Sequence, residues 1–366
     1  MKIQAAVLRK LNVPMEIEEL ELGPVLAEDV LVKVAACGVC HSDLNAVKGF
    51  VQRPLPLVMG HEGAGVVVEV GKNVTSVKPG DHVVMSFQPY CGQCPHCREG
   101  HTYRCANRRN ANGVMWDGTP RLRKNGEVVY QLAPVTAFAT YSILHYSAAV
   151  PIPKDVPLDR ACLVGCAIST GMGAALHNAR VRAGSTALVI GCGGIGLSIV
   201  QGCRISGASR IIVADLFDKK LEEAKRFGAT DGVNAKKGKI VDQVMQLTEG
   251  RGVDYAFEAV GNTQCMMDCF ESLSRGGLAV LVGLEPDPKS TLPISPGKLR
   301  MERSITGSGG GLTVPWRDFP LYIDYYKQGR LLLDEMVTSY GRLADVNRAM
   351  EALDRGETLR TVLRMG

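Results

Sequence analysis

The sequence contains no uninterrupted apolar stretch of about 18 residues, the length a membrane-spanning helix requires, which argues against a helical membrane protein. Its amino terminus, MKIQAAVLRKLNVPMEIEEL, mixes charged with apolar residues and lacks the apolar core of a secretory leader, so a cytoplasmic location is expected. There is no repeat of fixed period and no low-complexity tract, which excludes a solenoid and removes any compositional case for disorder. An excess of one charge is also missing, since the formal net charge is only +5. The basic clusters, Arg108 with Arg109 and Arg121 with Arg123 and Lys124, are short and not interleaved with aromatic residues. They read as solvated loops, and neither nucleic acid nor a membrane is an expected partner.

What is present suits a globular protein long enough to be a full enzyme. A chain of 366 residues, 46% hydrophobic and 22% charged, is long enough for two domains with substantial cores. Twelve cysteines in a large chain without a leader point to metal ligands and buried thiols rather than a disulfide framework. Four of them fall at 91, 94, 97 and 105, and the other eight are dispersed.

The first third carries short β-rich segments, DVLVKVAACGVC, GAGVVVEVG and DHVVM, punctuated by Gly and Pro, and suggests a partly open β-barrel. Residues 106–130 have no sustained period and read as a surface loop. After about residue 165 strands and helices alternate: STALVIG, a Gly-opened helix, RIIVADL, the helix DKKLEEAKRFGA, VDYAFEAVG, a helix near 263–275, GLAVLVG and SITGS. Such alternation forces parallel strands with helical crossovers, the doubly wound α/β arrangement. The last segment, with the helix-like DFPLYIDYYKQGRL and a closing LRTVLRMG, is expected to return to the first domain. The domains predicted are therefore 1–167 with 310–366, and 168–309.

Gly191, Gly193 and Gly196 form G-x-G-x-x-G directly after an apolar strand and at the start of a helix, with Gly194 and Ile195 inside the turn. The first glycine permits the turn, the second lets backbone approach a pyrophosphate, and the third lets helix pack on strand. Asp215 closes the next strand about 20 residues on, where a carboxylate bonds ribose hydroxyls and repels a 2′-phosphate, so NAD is expected over NADP. Capping of the following helix is the alternative role for Asp215. Lys220, five residues further, is expected either beside the same ribose or as an exposed helix lysine.

Cys91, Cys94, Cys97 and Cys105 have the spacing C-x-x-C-x-x-C-x7-C. Four thiolates from one loop suit a closed tetrahedral zinc site that holds structure and does no chemistry. A ferredoxin-type run opens with the same spacing but closes with a shorter last gap, so iron–sulfur binding is the less favoured alternative. Cys40, His61 and Cys166 come from three separated loops and make a three-ligand zinc site with room for an exchangeable oxygen. An open position supplies Lewis acidity toward an alcohol oxygen, lowering its pKa so that hydride can pass to a nicotinamide.

With these motifs, CGVCHSD, GHEGAGVVVEVG and CGQCPHCREGHTYRC, the chain resembles the zinc-containing medium-chain alcohol dehydrogenases over essentially its whole length. The resemblance implies a GroES-like β-barrel catalytic domain and a Rossmann domain, NAD and two Zn2+ per chain, with catalytic zinc on Cys40, His61 and Cys166. It implies Ser42 as acceptor of the alcohol proton and Asp43 as the group orienting His61. Glu62 lies beside the ligands or displaces one during exchange. His41 and Arg360 fall near the cofactor phosphates, and Phe87 and Phe138 line the substrate channel or lie in the core.

Asn45 stands where many relatives carry a proton-passing histidine, and FVQRPLPLVM lacks the acidic residues that relatives specialised for glutathione adducts use. WDGTPR resembles a loop of the dimeric branch, which favours a homodimer over a tetramer. The function expected is oxidation of a primary or aromatic alcohol with NAD, reversibly. The alternatives are a zinc-free quinone or enoyl reductase, and a catalytically silent cofactor-binding protein.

Overall fold

The computed structural model describes residues 1–50, 52–107, 113–132, 134–287 and 289–365, so the pair Arg108 and Arg109 lies outside the described residues. The chain forms two compact units, Met1–Ala167 with Val314–Gly366, and Ile168–Thr313.

In the first unit, strands Lys2–Leu8, Glu16–Leu22, Leu57–Val58, Leu122–Lys124 and Glu127–Gln131 close a small barrel. The alternation in EIEELEL buries Glu18, Leu20 and Leu22 and exposes the residues between, the period a strand imposes. Ile3, Val7, Leu20, Val58, Leu122 and Val129 fill the interior. Two of these strands correct the expectation of a featureless loop over 106–130. Asn125 and Gly126 take φ of 50° and 85°, so Asn-Gly turns LRK back on EVVYQ as a hairpin. The hairpin signal lay in the turn residues, not in hydrophobic period.

A second, seven-stranded sheet is built on Asp29–Gly38, which pairs antiparallel with Glu62–Val70, Tyr141–His145 and Arg360–Arg364. Its run VLV is buried on both faces. Register sets Gly38 opposite Glu62 on one side and Val362 on the other. The carboxyl end of this strand therefore brings Cys40 to the same place as the His61–Glu62 segment and the Arg360 strand. The terminal segment thus folds into the first unit through Arg360–Arg364.

The second unit is a wholly parallel six-stranded sheet. Its order is Asp231–Asn234, Arg210–Asp215, Thr186–Ile190, Val253–Glu258, Leu273–Leu281, Ser304–Gly307. Strand order reverses direction between Thr186–Ile190 and Val253–Glu258, the switch point at which doubly wound sheets bind ligands. Strand Asp231–Asn234 and helix Ile240–Leu247 were not expected from sequence, because DGVN is poor in β-forming residues and gains its place from pairing with Arg210–Asp215. Among the described residues no helix is long and apolar enough to cross a membrane.

Candidate active site

Helix His41–Val47 begins at Cys40, whose backbone is extended at φ −120° and ψ 151°. The Cys40 N–H donates to Asp43 Oδ2 at 3.3 Å. Asp43 is fully buried, and its Oδ1 accepts the Gly60 N–H at 3.2 Å and lies 3.0 Å from His61 Nδ1. One carboxylate thereby fixes the helix start, the loop ahead of His61 and the ring itself. A proton on Nδ1 facing Asp43 leaves Nε2 with a free lone pair. Nε2 is buried and has no hydrogen-bond partner among the described residues.

That lone pair faces a donor set. One ligand atom each from Cys40, His61, Glu62 and Cys166 lies within 4.8 Å of all the others, and all four residues are buried. Leaving such a nitrogen bare costs about 1–3 kcal/mol of lost solvation, whereas two thiols and an imidazole converging on one point suit zinc. The Cys40 thiol is held well below its usual range, first by a hydrogen bond from the Cys166 thiol, with burial opposing and the charge of Arg360 assisting. Cys166 is driven up by the same pairing and by burial. Burial pushes Glu62 up to about 8, against the pull of Arg360, whose Nε is 3.5 Å from Oε2. Glycine is required here for space: a Cβ on Gly38 would fall 2.2 Å from Glu62 Oε2, and one on Gly165 2.7 Å from the Met85 carbonyl oxygen.

The other residues singled out from sequence divide. His41 is exposed and Ser42 half-buried, as the first two residues of the helix, with Asn45 half-buried one turn on. Phe87 meets His61 edge-on, with ring centroids 5.9 Å apart. Phe138 is fully buried in the core, where a Cβ on Gly60 would come 2.5 Å from its backbone nitrogen. Arg360 is buried beside Glu62, an ion-pair partner that sequence spacing did not suggest. Only register, which aligns Val362 and Glu62 on either side of Gly38, would have revealed it.

The four-cysteine lobe is a separate centre. Its sulfurs all lie within 4.8 Å of one another, none is in a disulfide, and those of Cys91 and Cys97 are 4.0 Å apart. Metal–sulfur bonds of about 2.3 Å give a tetrahedron with edges of about 3.8 Å, so the spacing fits zinc. Cys91 Sγ accepts the N–H groups of Gln93 and Cys94 at 3.5 and 3.4 Å. Although burial opposes it, these bonds bring the Cys91 thiol down to about 6, the behaviour of a thiolate ligand. Trp116 packs against the lobe.

The glycine turn in the second unit divides its labour as the motif demands. Gly191 has φ of 100°, a Cβ on Gly196 would lie 1.7 Å from the Gly191 carbonyl oxygen, and Gly193 faces open space within 4 Å. The first permits the turn, the third the packing, and the second leaves room for a phosphate group. Asp215 Oδ2 accepts the Cys192 N–H at 2.9 Å, tying the carboxylate to this turn. It does not cap the next helix, whose N-cap is Phe217 with no side-chain capping bond. Sequence reading missed Glu258, a fully buried carboxylate whose Oε1 accepts the N–H groups of Val260 and Gly261 at 2.7 and 2.6 Å. An acid inside the apolar run VDYAFEAVG was the signal.

Comparison with known proteins agrees with this chemistry. The family described as alcohol dehydrogenase GroES-like domain matches residues 27–154, and zinc-binding dehydrogenase matches residues 194–328. The chain is 38% identical over 372 residues to alcohol dehydrogenase class-3 of Drosophila melanogaster, covering 99% of this chain and 97% of that protein. It is 36% identical over 374 residues to S-(hydroxymethyl)glutathione dehydrogenase of Paracoccus denitrificans, covering 99% and 100%. The crystal structure of benzyl alcohol dehydrogenase from Acinetobacter calcoaceticus superposes with a TM-score of 0.94 at 32% identity, covering 100% of both chains. Both metal centres being complete, the zinc-free reductase and silent-binder alternatives are set aside. The likeness extends across both units and the whole length, and the chain belongs to the zinc-containing medium-chain alcohol dehydrogenases.

Proposed function

We propose that this enzyme transfers hydride between a primary or aromatic alcohol and NAD, reversibly, at the centre formed by Cys40, His61 and Cys166. The observation that carries the reading is the bare, buried Nε2 of His61 among two thiols. Zinc bound there supplies Lewis acidity toward the alcohol oxygen. Ser42, half-buried one residue into the helix after Cys40, takes the hydroxyl proton, and Asp43 keeps His61 in the tautomer that ligates. Glu62, paired with Arg360, is the spare oxygen donor within reach of the same point. Phe87, edge-on to His61, forms one wall for an apolar substrate. Gly191, Gly193, Gly194, Ile195 and Gly196 hold the cofactor pyrophosphate, and Asp215 accepts from the adenosine ribose. The active form is a cytoplasmic homodimer.

The likeness to benzyl alcohol dehydrogenase supports the aromatic preference. The identity to class-3 and S-(hydroxymethyl)glutathione dehydrogenases favours a second reading, a glutathione adduct as substrate, against which the absence of acidic residues in FVQRPLPLVM weighs. The test is NAD reduction by the zinc-loaded enzyme with benzyl, allylic and aliphatic alcohols and with S-(hydroxymethyl)glutathione. Highest kcat/KM on benzyl alcohol is expected. Highest kcat/KM on the glutathione adduct would replace the first reading with the second.

A further inference from the structure

A buried serine ties the four-cysteine lobe to the seven-stranded sheet. Ser147 lies two residues past the start of the turn that ends strand Tyr141–His145, and it is fully enclosed. Its Oγ accepts the Tyr90 N–H at 3.0 Å, one residue before the ligand Cys91, and its carbonyl oxygen accepts Trp316 Nε1 at 3.0 Å. On its third side is His145. The Ser147 N–H donates to His145 Nδ1 at 3.3 Å, and Ser147 Oγ lies 2.8 Å from the same nitrogen. With a lone pair of Oγ taken by Tyr90, its own O–H donates to Nδ1.

These contacts assign the tautomer. Nδ1 accepts from Ser147, so the neutral ring carries its proton on Nε2, which faces Glu28 Oε2 at 3.5 Å. A second proton has only Nδ1 to go to. There it opposes the Ser147 N–H and turns the hydroxyl from donor to acceptor, so two buried donors of Ser147 lose the acceptor they share.

The surroundings favour the neutral ring. Asp29, opposite His145 across the strand pair, is answered by Arg121, which also holds Asp117. Glu28 is half exposed, and water screens its charge. Trp116 stacks on the imidazole with centroids 4.9 Å apart and also packs against the lobe, while Tyr146 is tilted against the ring at 4.4 Å. Burial holds the Tyr90 and Tyr146 phenols up, so they stay uncharged. Burial also prevails over Glu28 and Asp29 at His145 and lowers its pKa from the ordinary 6.5.

We propose that His145 is a positioning residue for the four-cysteine lobe and makes the docking of the lobe sensitive to acid. When neutral, the ring keeps Ser147 in the arrangement that holds the backbone of Tyr90 and Cys91. When protonated, it breaks that arrangement. A ring whose pKa is depressed while docked takes up a proton more readily once undocked, so docking is complete above about pH 6.5 and is lost as pH falls below that value.

Hydrogen exchange of the zinc-loaded, full-length protein, followed by mass spectrometry, reads the Tyr90 amide without turnover. Protection of residues 88–98, corrected for the intrinsic pH dependence of exchange, is expected to fall about tenfold between about pH 7.5 and 5.5 in the wild type, the equivalent of one pKa unit. His145→Asn keeps an acceptor at the capping position and cannot take up a proton, so its protection should change by less than about twofold. Glu28→Gln removes the charge that favours the protonated ring and should move the transition to lower pH. Protonation of the thiolate ligands is common to all three proteins and drops out of the comparison. Superimposable profiles for the wild type and His145→Asn overturn the proposal. So does a Glu28→Gln transition at the wild-type pH, which decides the matter even if His145→Asn does not fold. Parallel loss of protection in strand Thr186–Ile190 would show global acid unfolding and would also overturn it.

Discussion

His61 Nδ1 lies 3.0 Å from Asp43 Oδ1, and the same oxygen accepts the Gly60 N–H, so one buried carboxylate fixes both the tautomer of the ligating ring and the backbone that leads into it. Asp43→Ala should lower zinc affinity at the catalytic centre by about tenfold to a hundredfold, the usual effect of removing a partner that orients a ligating histidine. The four-cysteine lobe has its own donors and should keep its metal. Competition with a chelator measures both sites. Loss of both zincs in parallel would show that Asp43 acts on the fold rather than on His61.

Cys97→Ser should act on stability. Its sulfur is one of four that lie within 4.8 Å of one another, and a closed metal site of this kind supplies folding energy. Removing it should release the structural zinc and lower the melting temperature. Because Trp116 packs against the lobe, its emission should shift to the red. Unchanged melting and emission, with two zincs retained, would contradict a structural role.

Asn45 sits half-buried on the helix that carries Ser42, and an amide neither takes up nor releases a proton near neutrality. A histidine there has an unperturbed pKa of about 6.5 and relays a proton when neutral. Asn45→His should therefore speed single-turnover alcohol oxidation between about pH 6.5 and 8, above the pKa of the new base and below the range where hydroxide suffices. Little change is expected at higher pH. Superimposable pH profiles for the two proteins would place residue 45 outside the proton path.

Motif and period made the parallel sheet, both zinc sets and the glycine turn legible in the sequence, because each depends on residues whose chemistry is tied to short spacing. The motif alone calls for a turn, an open approach and a close packing contact, and the backbone at Gly191, Gly193 and Gly196 has those properties in that order. What escaped depends on long-range register. Arg360 meets Glu62 only because the final strand pairs with Asp29–Gly38, a relation across about 300 residues that no local pattern encodes. Strand Asp231–Asn234 was hidden for a similar reason, since its neighbour rather than its composition makes it a strand. The Asn125–Gly126 hairpin was legible and was masked by the polar residues around it.

Cys40, His61 and Cys166 are expected to hold a zinc on which alcohol oxidation depends, independently of the cysteine lobe. The most direct test is zinc content by mass spectrometry measured together with NAD reduction by benzyl alcohol, in the wild type and in Cys40→Ser. Two zincs per chain with activity in the wild type, and one zinc without activity in a variant of unchanged melting temperature, is the predicted result. Two zincs and full activity in Cys40→Ser would contradict it.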